Sequence, residues 1–243
     1  MRLHNLARPA LGILLLSALS IVSAARVADT YALRENHKVG DVASSKYVAT
    51  LELKGAKVKI QGGSKTTIDE VKPDGSFVVS SIQSVEVYQD DKLLGKQADS
   101  PGKVTFTSNG QATAFDAVST EMTPEGVTFS ITRLSAFISP AAPVKMNEEW
   151  TIKYKEEKEK TMLPAVAKYK VVALEKLGEV PVAVVEMSYK ETGDDDAPIS
   201  SEGKHWVNIA TGEVLKTVLT FKNFPTLQGI AKTGTIESEV VKS

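Results

Sequence analysis

Cysteine is absent from the 243 residues of the chain, and this absence excludes several kinds of site at once. The protein has no disulfide bond, no nucleophilic thiol and no N-terminal cysteine that could carry a lipid. We therefore expect a fold that is stabilised by the burial of its core alone.

Histidine is scarce and does not indicate catalysis. The chain has His4, His37 and His205 only. His205 lies beside Trp206 in a predicted strand, and His37 lies beside Lys38 at a predicted surface position. Neither has the neighbours expected of a catalytic base. We predict no catalytic residue and a protein that is not an enzyme, with a hydrolase that uses carboxylates as the weakest alternative.

Two short motifs resemble those of penicillin-recognising serine enzymes. Ser201-Glu202-Gly203-Lys204 matches S-x-x-K, and Lys232-Thr233-Gly234 matches K-T-G. In those enzymes the serine and lysine lie one helical turn apart, whereas Gly203 and the flanking β pattern predict a loop that enters a strand. The serine-aspartate-asparagine element is also missing, so we reject this interpretation.

Long apolar runs are absent except for one near the N-terminus, from Leu11 to Val22. Arg2 and Arg8 precede it, and Val22-Ser23-Ala24 follows with residues that fit the pocket of a signal peptidase. The run is too short for the ~20 residues that span a bilayer. We predict a cleaved signal peptide at residues 1–24 and an exported protein, periplasmic or extracellular, that is soluble and has no membrane span.

Neither sign of charge dominates. Without Arg2 and Arg8 the chain has 27 basic and 30 acidic residues, a net charge of −3 with both signs interspersed. Such a surface is not expected to bind nucleic acid or anionic lipid. Aromatic residues make up only 6% of the chain and are scattered, which argues against a stacking platform for sugars or bases.

Motifs for metals and cofactors are weak, and we predict neither. Asp194, Asp195 and Asp196 could attract calcium, but calcium loops alternate their ligands and add a distant acidic residue. A solvated acidic loop tip is the favoured interpretation, and a cation site is the alternative. Gln61-Gly62-Gly63-Ser64-Lys65 lacks the P-loop frame and is predicted to form a hairpin turn.

The sequence is rich in short β-strand patterns. Apolar residues occupy one face of alternating segments at 47–53, 150–154, 185–189 and 215–221. Turn signals separate such segments at Pro73-Asp74-Gly75, Asn109-Gly110 and Thr211-Gly212. The only helix candidates are Ala112–Thr120 and Arg133–Ile138. We predict an all-β, mainly antiparallel fold with one or two short helices.

The pattern also indicates two similar halves. Lys38-Val39-Gly40-Asp41 matches Lys145-Met146-Asn147-Glu148, and the turns at Gly75 and Gly178 correspond, as do Gly102 and Gly203, at offsets of 107, 103 and 101 residues. The proline-rich segment Pro140–Pro143 is the natural boundary. We predict a first β half at 25–139 and a second at 140–243, with one continuous domain as the alternative.

The segment Pro143-Val144-Lys145-Met146-Asn147-Glu148-Glu149-Trp150 resembles the P-V-x-x-G-D-x-W phrase of several families of uncharacterised exported bacterial β proteins. The phrase opens the second half of their duplicated sheet, and Lys38-Val39-Gly40-Asp41 is similar to its degenerate first copy. Asn147 stands where the second copy usually has glycine. The resemblance implies a strongly bent antiparallel sheet or open barrel of the lipoprotein-carrier type, around an apolar cavity.

These observations favour a non-catalytic function. The first hypothesis is binding of an apolar small molecule or an envelope component between the concave face of the sheet and its covering loops. The alternative is a structural or protein-interaction module of the envelope. An apolar cavity of a few hundred cubic ångströms would favour the first hypothesis, and a packed interior would favour the second.

Overall fold

The computed structural model describes residues 30–116, 125–157, 162–193, 197–226 and 229–241. The predicted signal peptide and the Asp194–Asp196 segment lie outside the described residues. The strands are β1 (Val42–Leu53), β2 (Ala56–Val71), β3 (Phe77–Gln89), β4 (Lys92–Phe106), β5 (Ala112–Phe115), β6 (Glu149–Tyr154), β7 (Ala165–Leu177), β8 (Val180–Glu191), β9 (Ser200–Asn208), β10 (Val214–Thr226) and β11 (Gly229–Val240), and the helix is α1 (Glu125–Ser135).

The described strands form one antiparallel sheet in the order β5-β4-β3-β2-β1-β11-β10-β9-β8-β7-β6. Two meanders, β1–β5 and β6–β11, are joined where β1 pairs with β11, from Ser45 opposite Val240 to Leu51 opposite Gly234. The all-β, antiparallel prediction is confirmed. No described helix is long and apolar enough to cross a membrane.

The alternation seen in the sequence places successive side chains on opposite faces of this sheet. In β1, Tyr47, Ala49 and Leu51 lie on the face that contains the core, which we call the inner face. Lys46 and Val48 lie on the opposite, outer face. The predicted turns follow β2, β4 and β9, and their glycines adopt positive φ angles of 81°, 93° and 77° at Gly75, Gly110 and Gly212.

Three local predictions were wrong. Ala112–Phe115 forms β5 rather than a helix, because it pairs with Val104–Phe106 of β4, and residues 117–120 lie outside the described part. The second helix candidate coincides with α1 only up to Ser135. The segment Gln61–Lys65 lies within β2 instead of forming a hairpin turn, with Gly62 opposite Tyr47.

Two turns that precede the first strand of each meander have matching geometry. Gly40 and Asn147 both have positive φ, 88° and 63°, and asparagine tolerates this conformation better than most residues. The amides of Lys38 and Lys145 bond to the carboxylates of Asp41 and Glu148 at 2.9 and 2.8 Å. This similarity supports two related halves, which stay a prediction.

The sheet curls around α1. The helix contacts β5 at one edge of the sheet and β9 and β10 in the second meander. A void of about 10 Å³ is bordered by Ala112 of the edge strand β5, Arg133 of α1 and Tyr154 of the opposite edge strand β6. The helix therefore lies between the two edges, and the buried cluster on the inner face contains residues of both meanders, such as Leu51 and Leu219.

Gly234 allows close packing at the junction of the meanders. A Cβ atom there would collide with the ring of buried Phe221 and lie 2.7 Å from the Thr50 carbonyl oxygen.

We expect Gly234→Ala to lower the free energy of unfolding by about 2 kcal/mol through overpacking. Gly95→Ala in β4 is the matched control, because a Cβ there meets no atom within 4 Å. Urea denaturation measures both, and equal effects would contradict the packing account.

Candidate functional site

The inner face of the second meander holds a segment of its own chain. The carbonyl oxygens of residues 134, 136 and 138 accept hydrogen bonds from Ser201 Oγ at 2.6 Å, Tyr169 Oη at 2.9 Å and Trp150 Nε1 at 2.9 Å. Three strands thus supply donors to alternate carbonyls, the first in the last turn of α1 and the other two in the segment that follows the helix. This part of the inner face is packed against the chain itself.

Arg133 fastens the end of α1 to the second meander. Its side chain is buried, forms an ion pair with Glu157 and lies 4.9 Å from the centre of the Tyr154 ring. Burial raises the pKa of Tyr154 to about 12, and the pKa of Tyr169 is also raised, again mainly by burial. Both tyrosines therefore stay neutral at physiological pH. Tyr169 donates its hydrogen bond to the Ala136 carbonyl, whereas Tyr154 packs against Arg133 and its hydroxyl has no hydrogen-bond partner among the described residues.

His205 is completely buried in β9. Its Nδ1 lies 3.0 Å from Thr217 Oγ1, while its Nε2 has no partner among the described residues. Burial lowers the pKa of the imidazole to about 3. Such a ring is a poor general base at neutral pH, in agreement with the interpretation of His205 as an ordinary strand residue.

His37 is more enclosed than its predicted surface position implies, with 16% of its side chain exposed and its ring centroid 3.7 Å from that of Phe77. It lies 3.6 Å from the carboxylate of Glu35. Burial, followed by the charges of Glu213 and Asp41, raises the pKa of Glu35 to about 7. Burial lowers the pKa of His37 below its usual 6.5. The Glu35 side chain is 42% exposed at the surface rather than enclosed in a cleft.

The outer face carries a groove of about 440 Å³ that crosses the strands. We call it the transverse groove. The residues that line it come from β1, β2, β3, β4, β10 and β11 and are Lys46, Tyr47, Val48, Gln61, Gly62, Ser84, Glu86, Lys96, Lys216, Glu237, Ser238 and Glu239.

Strand register explains why these residues meet. Glu237 of β11 lies opposite Val48 of β1, Val48 lies opposite Gln61 of β2, and Gln61 lies opposite Glu86 of β3. On the inner side of the same region, Tyr47 covers Gly62, where a Cβ atom would lie 2.8 Å from the tyrosine hydroxyl and collide with the Ser84 carbonyl oxygen. Glycine is thus required where the strands approach most closely.

One end of the groove is held by a network around Glu86. The carboxylate accepts hydrogen bonds from Lys96 at 2.9 Å, Tyr88 at 2.8 Å and Gln61 at 3.1 Å. These bonds, the one from Lys96 above all, lower the pKa of Glu86 to about 2. The Glu86 carboxylate is therefore ionised and fixed in position across the physiological pH range.

The residues of the rejected serine-enzyme motif do not form a site. Ser201 faces inwards and bonds to the Leu134 carbonyl, whereas Lys204 faces outwards, 3.8 Å from Glu186. Both lie inside β9 rather than in a loop. In the described part of the chain, no group of three or more histidine, aspartate or glutamate residues is arranged to hold a metal ion.

The transverse groove was missed from the sequence. Its charged residues follow the alternation of a solvated strand face, and only the pairing of distant strands brings them together. No protein-family model matches the chain, and no curated protein has a significantly similar sequence.

The buried His205 predicts a loss of stability in acid. The pKa of His205 in the folded protein lies below its usual value of 6.5. The contribution of His205 to the free energy of unfolding is therefore complete above pH 6.5 and decreases as the pH falls towards 3. We expect His205→Gln to reduce the pH dependence of the unfolding free energy by about 1.4 kcal/mol per pH unit in this window. Denaturant titrations between pH 4 and 7 test this, with unchanged slopes as the contradicting result.

The raised pKa of Glu35 predicts a loss of folding stability at high pH, the opposite of the effect of His205. The stabilising contribution of Glu35 to the free energy of unfolding is present below pH 4.5 and is lost as the pH rises through about 7, because the carboxyl group must then ionise in the folded protein. We expect Glu35→Gln to unfold at the same temperature as the wild type at pH 4, and at a higher temperature at pH 8. The control Glu202→Gln, at an exposed position of β9, should show no such divergence in thermal unfolding monitored by circular dichroism.

Proposed function

We propose that the protein is a non-catalytic binding protein that recognises an extended polypeptide segment in the transverse groove. The observation that carries this proposal is a continuous groove of about 440 Å³ lined by lysine, glutamate and small residues of six strands. The signal-like sequence at residues 1–24 supports an exported protein, and its partner would then be a protein of the same compartment.

The dimensions of the groove suit a chain segment. Adjacent strands lie ~4.8 Å apart, so the width from β4 to β10 is on the order of 24 Å. An extended polypeptide advances ~3.3 Å per residue, and about seven residues would therefore cross the groove. The volume also lies within the usual range of ligand sites.

The chemistry of the lining indicates how such a segment is recognised. The strands under the groove are interior strands of the sheet, and their backbone groups already bond to their neighbours. A ligand is therefore bound through the side chains rather than by addition of a strand. Alternating charges, such as Lys46 beside Glu239 at 3.7 Å, suit a polar ligand that carries both donors and acceptors.

The apolar-ligand hypothesis has less support. On the inner face of the second meander, the extended segment after α1 occupies the position that an apolar ligand would need. The void beside Arg133 and Tyr154 measures only about 10 Å³. That volume is close to one water molecule and far below that of a lipid.

Selection from a random heptapeptide display library tests the proposal. We expect enrichment on the wild-type protein and at least a tenfold loss of affinity with Val48→Trp, because Val48 is 38% exposed in the groove and tryptophan would fill it. Ile82→Trp is the matched control, at a 49% exposed position of β3 outside the groove. Fluorescence anisotropy of enriched peptides measures the affinities.

The absence of any enriched peptide, or equal binding by the wild-type and Val48→Trp proteins, would contradict the proposal. Loss of binding in both tryptophan variants would also contradict it, because the effect would then not depend on the groove.

A further inference from the structure

Most charges of the transverse groove are already compensated within the protein. Lys96 binds Glu86 at 2.9 Å, and Lys46 lies 3.7 Å from Glu239. The ammonium group of Lys216 lies 5.5 Å from the centre of the Trp206 ring. These contacts hold one glutamate at the β4 end of the groove and another near its β10 end.

Glu237 differs from Glu86 and Glu239, the other two carboxylates of the groove. It has no ion pair or side-chain hydrogen bond with any described residue, and its side chain is exposed on β11. Strand β11 lies at the junction of the two meanders, between β1 and β10. The carboxylate of Glu237 is thus the acidic group of the groove that forms no ion pair with a described residue.

Apolar side chains flank this carboxylate on both sides. The register places Val48 of β1 and Val218 of β10 directly opposite Glu237. Directly opposed residues have Cβ atoms ~5 Å apart, so the two valines lie next to the glutamate on the outer face. A carboxylate between two aliphatic side chains fits a long basic side chain, which has an apolar stem and a charged head.

We infer that the transverse groove selects a segment with a central lysine or arginine, whose stem packs on Val48 in the groove and reaches towards Val218 beside it, and whose charged head binds Glu237. This inference rests on the proposed function, because it names which segment the groove takes. Glu86 and Glu239 compete weakly for that side chain, since each already binds a lysine of the protein.

Three random heptapeptide libraries test the inference, with the central residue fixed as lysine, glutamine or glutamate. On the wild-type protein, we expect the lysine library to be enriched at least tenfold over the other two. Glu237→Gln should abolish this preference, and Glu237→Lys should transfer it to the glutamate library. Glu202→Lys, on the outer face of β9 and outside the groove lining, is the matched control and should leave the wild-type order unchanged.

The outcomes distinguish failure of the proposed peptide-binding function from failure of the inferred role of Glu237. If no library is enriched on the wild-type protein, the proposed peptide-binding function fails. If all three libraries are enriched equally, or Glu237→Lys keeps the preference for lysine, the function stands and the role of Glu237 is overturned. Circular dichroism of each variant verifies that it is folded, and the conservative Glu237→Gln variant provides a readout if Glu237→Lys is not.

Discussion

The pairing of β1 with β11 is the contact on which the rest of the structure depends. Its register, from Ser45–Val240 to Leu51–Gly234, converts two meanders into one sheet. The core on the inner face combines Leu51 of the first meander with Leu219 of the second because this pairing joins their strands into one continuous sheet. The transverse groove also crosses this junction. The core and the groove thus lie on opposite faces of the same pair of strands.

Small residues determine which face of the sheet is filled and which is open. At Gly62 the strands approach so closely that a methyl group would collide with the β3 backbone, and the Tyr47 ring covers the glycine from the inner side. On the outer side, Val48 and Gln61 lie side by side between Glu237 of β11 and Glu86 of β3. The described residues thus combine a packed interior with a polar surface depression, and the chain has no cysteine to form a disulfide.

Much of the fold could be predicted from local pattern, because alternation and turn chemistry act over a few residues. The strands near Tyr47 and Trp150 and the turns at Gly75 and Gly212 follow directly from these rules. The prediction failed where a distant partner decides the outcome, as at Ala112–Phe115, which pairs with β4. The hairpin turn predicted around Gly62 was also wrong, since a pair of glycines is typical both of a turn and of a strand that packs closely against its neighbour. The groove depends on register across the whole chain, which alternation alone does not specify.

The β1–β11 pair also has a consequence for how the protein is made. Strand β1 is synthesised before β2–β10, and β11 after them, so one side of β1 has no native partner until β11 has been made. Contacts of such large sequence separation form slowly, because a long loop must close first. Until then, the apolar side of β1 and its free backbone groups are open to incorrect pairing. We therefore expect the two meanders to form before the β1–β11 pairing joins them.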